Sequence, residues 1–205
     1  MKKNSLKNKF TCSFSILLLL FSLSAHSIDS PLPMLQTVSE QMLQKLKSNK
    51  QSTPLPTFIE KIVRENLVPH FDLNYMSRMV IGRDTWKIAS PTQQNEFIEK
   101  FTVLLIRTYS TALSSYTDQT ITFYPIRGQL TEETQVESKI FRQDGPPIPV
   151  SYRLKLEDKN WKIYDFSVDG VSLIESFRNQ FSHEIAEGGI KQLLEKLAQH
   201  NQQKN

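Results

Sequence analysis

Cysteine is nearly absent from this chain: among 205 residues the only one is Cys12. Whatever folds downstream of it is held without disulfides, by core burial alone. Histidine is also scarce. Beyond residue 27 there are only His70, His183 and His200, and none has a second His or Cys at metal-ligand spacing. The six glycines form neither a phosphate-cradling loop nor a Gly-x-Ser-x-Gly elbow. A Ser-His-Asp set assembles in space and is not excluded, but no local pattern points to one. After Leu23 no apolar run is long enough to cross a bilayer as a helix. An excess of positive charge is missing too, once it is located. The chain has 25 Lys+Arg against 21 Asp+Glu, but four of the bases and none of the acids lie in residues 1–27, so 28–205 carry 21 of each. The overall balance therefore supplies no basic footprint for a nucleic acid.

What residues 1–27 do contain is a targeting pattern. Lys2, Lys3, Lys7 and Lys9 form a basic start, and Phe14 to Leu23 form an apolar stretch of about ten residues. Ala25-His26-Ser27 is a small-x-small cleavage site, so cleavage is expected before Ile28, with a soluble product outside the cytoplasm. Cys12 precedes the apolar stretch and is not in position to bear a lipid anchor.

The remaining 28–205 are long enough for one core with a helical annex. Leu35, Val38, Met42 and Leu46 recur at three- and four-residue spacing and predict a helix. Ser48–Pro56 reads as a loop, and Thr57–Val68 as a second helix ended by Pro69. Asp72 is the expected N-cap of a short third helix and Gly82 its stop. Ser90-Pro91-Thr92-Gln93 is a capping-box start with proline at the first helical position. From it runs a helix of about seven turns with Phe97, Phe101, Leu104, Leu105, Thr108, Tyr109, Ala112, Leu113 and Tyr116 on one side.

After Asp118 the period changes to two. Ile121, Phe123 and Pro125 alternate with polar neighbours; Thr134–Arg142 is a more polar strand, and Asp144-Gly145 a turn. Val150, Tyr152, Leu154 and Leu156 alternate with Ser151, Arg153 and Lys155, and Trp161–Val168 makes a fourth strand. The C-terminal part is helical again, through Val171, Ile174, Phe177, Phe181 and Ile185, a break at Gly188-Gly189, and a last stripe of Ile190, Leu193, Leu194 and Leu197. The expected class is α+β: a twisted antiparallel sheet of about four strands packed against helices, with an apolar interior between them. The expected organisation is a signal peptide at 1–27 and one domain at 28–205, helical over 31–118, sheet over 119–169 and helical again over 170–201.

Two acids and three arginines are candidates for chemistry. Asp165 or Asp169 on the last strand would serve as a general base if it faced a pocket; the plainer expectation is a surface acid or a turn residue, since acids are seldom buried. Arg107, Arg153 and Arg178 carry forks that match phosphate oxygens, and salt-bridged or solvated side chains are the plainer reading for each. The residues alone leave three functions open: a carrier of greasy ligands, a small-molecule enzyme on a cone-shaped α+β scaffold, and a protein-docking adaptor with a filled interior.

Several segments, in order, resemble one family. They are Phe71-Asp72-Leu73 with Met79-Val80-Ile81-Gly82, Arg107-Thr108-Tyr109-Ser110 with Ala112-Leu113 and Tyr116, Gly145-Pro146-Pro147-Ile148-Pro149-Val150, Trp161-Lys162-Ile163-Tyr164-Asp165, Gly170-Val171-Ser172-Leu173, and Gly189-Ile190 with Leu193-Leu194. The set resembles the MlaC family of periplasmic phospholipid-binding proteins, also described as the toluene-tolerance auxiliary component. The resemblance implies a non-enzymatic lipid carrier without a cofactor. Its acyl chains would sit in an apolar pocket between sheet and helices, with the headgroup outside. Its partners would be an inner-membrane ABC transporter complex and an outer-membrane lipoprotein–porin complex, and its role the maintenance of outer-membrane lipid asymmetry. The inward-facing residues of matching segments are the expected lipid contacts: Leu105, Tyr109 and Leu113 on the long helix, Val150, Tyr152 and Leu154 on the third strand, Phe166 and Val168 on the fourth, and Val171 and Ile174 beyond it. Physical chemistry gives such a carrier a purpose. A chain of about 16 carbons needs roughly 13 kcal/mol to enter water at about 0.8 kcal/mol per CH₂, so lipid rarely crosses an aqueous space unaided.

Overall fold

The computed structural model describes residues 28–48, 55–114 and 119–202. Residues 1–27, expected to be a signal peptide, most of the loop expected at Ser48–Pro56, and Tyr116, expected on the long helix, lie outside the described residues. Helix α1 covers Leu32–Ser48 and α2 Leu55–Asn66, followed by a 3-10 turn at Val68–His70, where Pro69 stops the helix. Helix α3, Leu73–Ile81, is capped as expected: the Asp72 carboxylate accepts the Tyr75 N–H at 2.9 Å, and Gly82 ends it at φ 84°. A short helix α4, Arg83–Ile88, follows at once and was not expected. Its six residues are too few to show a period. Helix α5 spans Pro91–Ser114, opened by the reciprocal capping box of Ser90 and Gln93 at 2.9 and 3.2 Å.

The strands are β1 Thr120–Phe123, β2 Glu133–Phe141, β3 Ile148–Glu157, β4 Asn160–Val168 and β5 Val171–Ser172. They form one antiparallel sheet in sequence order. The fifth strand, two residues long, adds to the four expected. Helix α6, Leu173–Gln202, runs through Gly188 and kinks at Gly189, whose φ of 63° and ψ of −160° lie outside helical space. The Gly pair thus interrupts the helix where a break was expected, and two helical segments meet there at an angle.

Register decides what each sheet face carries. A shift between Arg153 and Leu154 leaves Tyr164 unmatched, so Leu154 faces Ile163 while Tyr152 faces Phe166 and Val150 faces Val168. One face therefore carries Val150, Tyr152, Leu154, Ile163, Phe166 and Val168. The other carries Ser151, Arg153, Lys155, Asp165 and Ser167.

Three apolar clusters fill the interior. The largest joins α3, α5 and α6 around Phe97, Phe101, Phe177 and Phe181, with ring centroids 5.2 to 6.2 Å apart. A second lies between α1 and the sheet, on Leu35, Val136, Leu154, Trp161 and Ile163. A third joins Met42 of α1, Ile59, Ile62 and Val63 of α2, and Ile106 of α5.

Candidate functional site

An apolar cavity of about 120 Å³ opens where the third cluster meets the first. The 3.6-residue period of α5 places Thr102, Leu105, Ile106, Tyr109 and Leu113 along one wall. Val63 and Leu67 line the facing side, with Val68 of the 3-10 turn and then Phe71 and Leu73. Phe166 of β4 closes the floor; its ring meets that of Tyr109 edge-on at 5.3 Å and that of Phe71 at 6.2 Å. Of the eleven lining residues only Thr102 and Tyr109 carry a polar side-chain atom, and Thr102 donates to the Ile98 carbonyl at 2.6 Å. Burial, and next the Asp165 carboxylate, push the Tyr109 phenol above its ordinary range, so it stays neutral at physiological pH.

Four of the expected lipid contacts, Leu105, Tyr109, Leu113 and Phe166, are brought together here. Tyr152 and Val168 are partly buried on the same sheet face as Phe166, with Tyr152 tilted against Phe123 at 5.9 Å. Val150 is buried beside Val168, and Leu154 is fully buried in the second cluster. Ile174 belongs to the first cluster, and Val171 is 63% exposed on β5. Sequence reasoning did not name Val63, Leu67, Val68, Phe71, Leu73, Thr102 or Ile106 as lining. The signal was present for some: Val63 lies on the apolar side of α2 and Leu67 follows just past its end, and Phe71 and Leu73 stand in a segment of the family pattern.

Asp165 is not the surface acid expected of it. It is fully buried, and both its oxygens are occupied. One accepts the backbone N–H of Ile174 at 3.1 Å; the other accepts the Ser172 hydroxyl at 2.6 Å and the Arg153 guanidinium. Asp169 sits in the β4–β5 turn at φ 51°. Neither acid lines the apolar cavity. The arginines are structural as well. Arg107 donates to the last carbonyls of α6, those of His200 and Asn201, and Arg178 reaches the Met79 carbonyl at 2.6 and 3.0 Å. Among the described residues no cluster of three or more His, Cys, Asp or Glu is placed to hold a metal ion.

Comparison with known proteins decides the family. The model of the MlaC protein family matches residues 36–199. The chain belongs to the MlaC family. It is 27% identical over 175 residues to the toluene tolerance protein ttg2D of Pseudomonas putida, covering 85% of this chain and 81% of that protein. It is 26% identical over 207 residues to the intermembrane phospholipid transport system binding protein MlaC of Haemophilus influenzae, covering 95% and 93%. A phospholipid-binding protein of Ralstonia solanacearum, solved in complex with a phospholipid, superposes with a TM-score of 0.77 at 28% identity, over 84% of this chain and 97% of that one. The antiparallel sheet and its helices are thus the fold of a protein that holds a phospholipid.

Proposed function

We propose that this MlaC-family chain carries phospholipid across the periplasm, after removal of residues 1–27, as a non-enzymatic shuttle. The observation that carries this reading is the apolar cavity between α2, α5 and Phe166, taken with the phospholipid held by the Ralstonia solanacearum neighbour on the same fold. A general base at this position finds no support, because Asp165 is already bonded through both oxygens and lies on the opposite sheet face. A filled docking adaptor does not suit a chain with an apolar void among its helices.

The cavity volume makes a further demand. About 120 Å³ is below the roughly 300–1,000 Å³ of ordinary small-molecule sites, and an acyl chain needs more. The described conformation is a closed one. Its facing walls, α5 and α2, share the third cluster through Ile106, Ile59, Ile62 and Val63, so parting them repacks that cluster and leaves the phenylalanine core of the first in place. Parting them lengthens the cavity along the sheet face, from Phe166 over Tyr152, Val168 and Val150. The headgroup stays in water, so selectivity among headgroups is low. The exchange partners are an inner-membrane ABC transporter complex and an outer-membrane lipoprotein–porin complex, and the outcome is maintained outer-membrane asymmetry. The test is uptake. Delipidated protein is incubated with phosphatidylethanolamine vesicles, separated by size, and extracted; about one lipid per chain supports the reading, and lipid-free protein contradicts it.

A further inference from the structure

The two edges of the sheet are treated differently. Along β4 the chain covers its own edge: Phe71 bridges to Ile163, Asp72 N–H donates to the Ile163 carbonyl at 2.9 Å, and β5 pairs with Ser167 and Val168. Along β1 no strand pairs on the outer side among the described residues. The register settles which groups are left over. Tyr124 N–H donates to the Glu137 carbonyl at 2.8 Å, so Tyr124, Thr122 and Thr120 turn their backbone groups toward β2. Ile121 and Phe123 therefore turn theirs outward, each presenting one N–H and one C=O. Exposed edges are commonly blunted by lysine, proline or a bulge. Thr120-Ile121-Thr122-Phe123 has none of these, and Pro125, at the next outward position, ends the row just beyond it.

Beside this edge α1 does not close over the strand. A groove of about 240 Å³ separates them, lined by Ile121, Thr122 and Phe123 on one side and by Gln36, Ser39, Glu40 and Leu43 of α1 on the other. Leu43, Ile121 and Phe123 are partly exposed apolar side chains, and Glu40 is an exposed carboxylate that makes no ion pair among the described residues.

We propose that this edge is a docking site for an extended segment of a partner protein, which adds as a sixth strand antiparallel or parallel to β1. The backbone of Ile121 and Phe123 supplies the recognition chemistry, since a row of alternating donors and acceptors is matched by another strand. The segment lays apolar side chains at alternate positions over Leu43, Ile121 and Phe123, and a lysine or arginine at one end meets Glu40. This site is separate from the apolar cavity and does not depend on what the cavity holds.

Residue-resolved hydrogen exchange by NMR tests it on the full mature chain. The probes are end-blocked octapeptides of alternating valine and threonine carrying one arginine, with glutamate in its place as the control. In the free protein the Ile121 and Phe123 amides exchange fast, while those of Thr122 and Tyr124 are protected. The arginine peptides slow exchange at Ile121 and Phe123 by at least about tenfold, and the glutamate peptides bind several-fold more weakly. Ile121→Pro removes an outward N–H without removing a bond to β2, so the chain folds and the peptide binds about tenfold more weakly. Glu40→Gln removes only the preference for arginine. Three results overturn the proposal. The first is slow exchange at Ile121 and Phe123 in the free protein. The second is no slowing with any peptide at millimolar concentration. The third is protection that rises with protein concentration alone, which makes a second copy the occupant.

Discussion

Asp165 Oδ1 accepts the backbone N–H of Ile174 at 3.1 Å, which ties the last long strand to the first turn of α6. The same carboxylate takes the Ser172 hydroxyl and the Arg153 guanidinium, so a full negative charge stands at the N-terminus of a long helix with no exposed surface of its own. Ser172 completes the cap by accepting the Glu175 N–H at 3.3 Å. Asp165→Ala is expected to lower stability by about 3 kcal/mol, because it strands donors and leaves a half-exposed Arg153 without its partner. Asp165→Asn keeps the shape and is expected to cost roughly half as much. Urea denaturation measures both. Lipid retention below the transition should be unchanged, and loss of retention in a fully folded Asp165→Asn chain would give the carboxylate a part in binding.

Filling the cavity should separate binding from folding. Leu105→Trp puts an indole into about 120 Å³ of apolar space at an overpacking cost of about 1–3 kcal/mol. The chain is expected to fold and to retain little lipid. Tyr109→Asp is expected to abolish retention as well, since a carboxylate is poorly tolerated beside acyl chains. Mass spectrometry of solvent extracts, with circular dichroism as the folding control, reads both. Full lipid occupancy in a folded Leu105→Trp chain would place the acyl chains elsewhere.

The kink in α6 rests on one residue. Gly189 holds φ 63° and ψ −160°, a region open to almost nothing but glycine, and a Cβ there would meet no atom within 4 Å. Gly189→Ala is therefore expected to cost about 1–3 kcal/mol through backbone strain alone. Thermal unfolding checks this. A neutral result would mean that α6 straightens at no cost, and the lost packing of Ile190 and Leu193 on the first cluster should then appear in hydrogen exchange.

Alkaline pH should weaken the fold through buried phenols. Burial raises the Tyr152 pKa against a smaller lowering from its Ser138 contact, and burial raises that of Tyr109. A group whose folded pKa lies above its unfolded value of about 10 contributes its stability in full below that value and loses it as pH rises through the folded pKa. Stability is thus expected to fall above about pH 10, and Tyr152→Phe to fall less steeply from its own neutral value. Denaturation midpoints from pH 8 to 11.5 measure the difference; parallel curves would remove Tyr152 as the cause.

Much of the architecture was legible because it depends on local rules. Asp72, Gly82 and the Ser90–Gln93 box announce helix ends through backbone chemistry that needs no tertiary context, and the alternation from Val150 to Leu156 names a sheet face. The cavity was only half legible. Leu105, Tyr109 and Leu113 share a helical face with Phe101 and Leu104, and a filled core and a void use the same residue types; only the offset between clusters separates them. Val171 shows the same limit from the other side, an apolar residue of a matching segment that stands in solvent. Asp165 was misread because an acid on a strand is usually exposed. Its burial depends on three donors, Arg153, Ser172 and Ile174, that the fold brings together, and on a register shift that no single strand displays.

The most direct measurement is the cargo itself. The mature chain is purified from a periplasmic extract without detergent, extracted with organic solvent, and the extract analysed by mass spectrometry. Phospholipid at about one molecule per chain, with headgroups in roughly the proportions of the host membrane, is the expected result. Repeated extracts of folded protein that contain no phospholipid would contradict the carrier function.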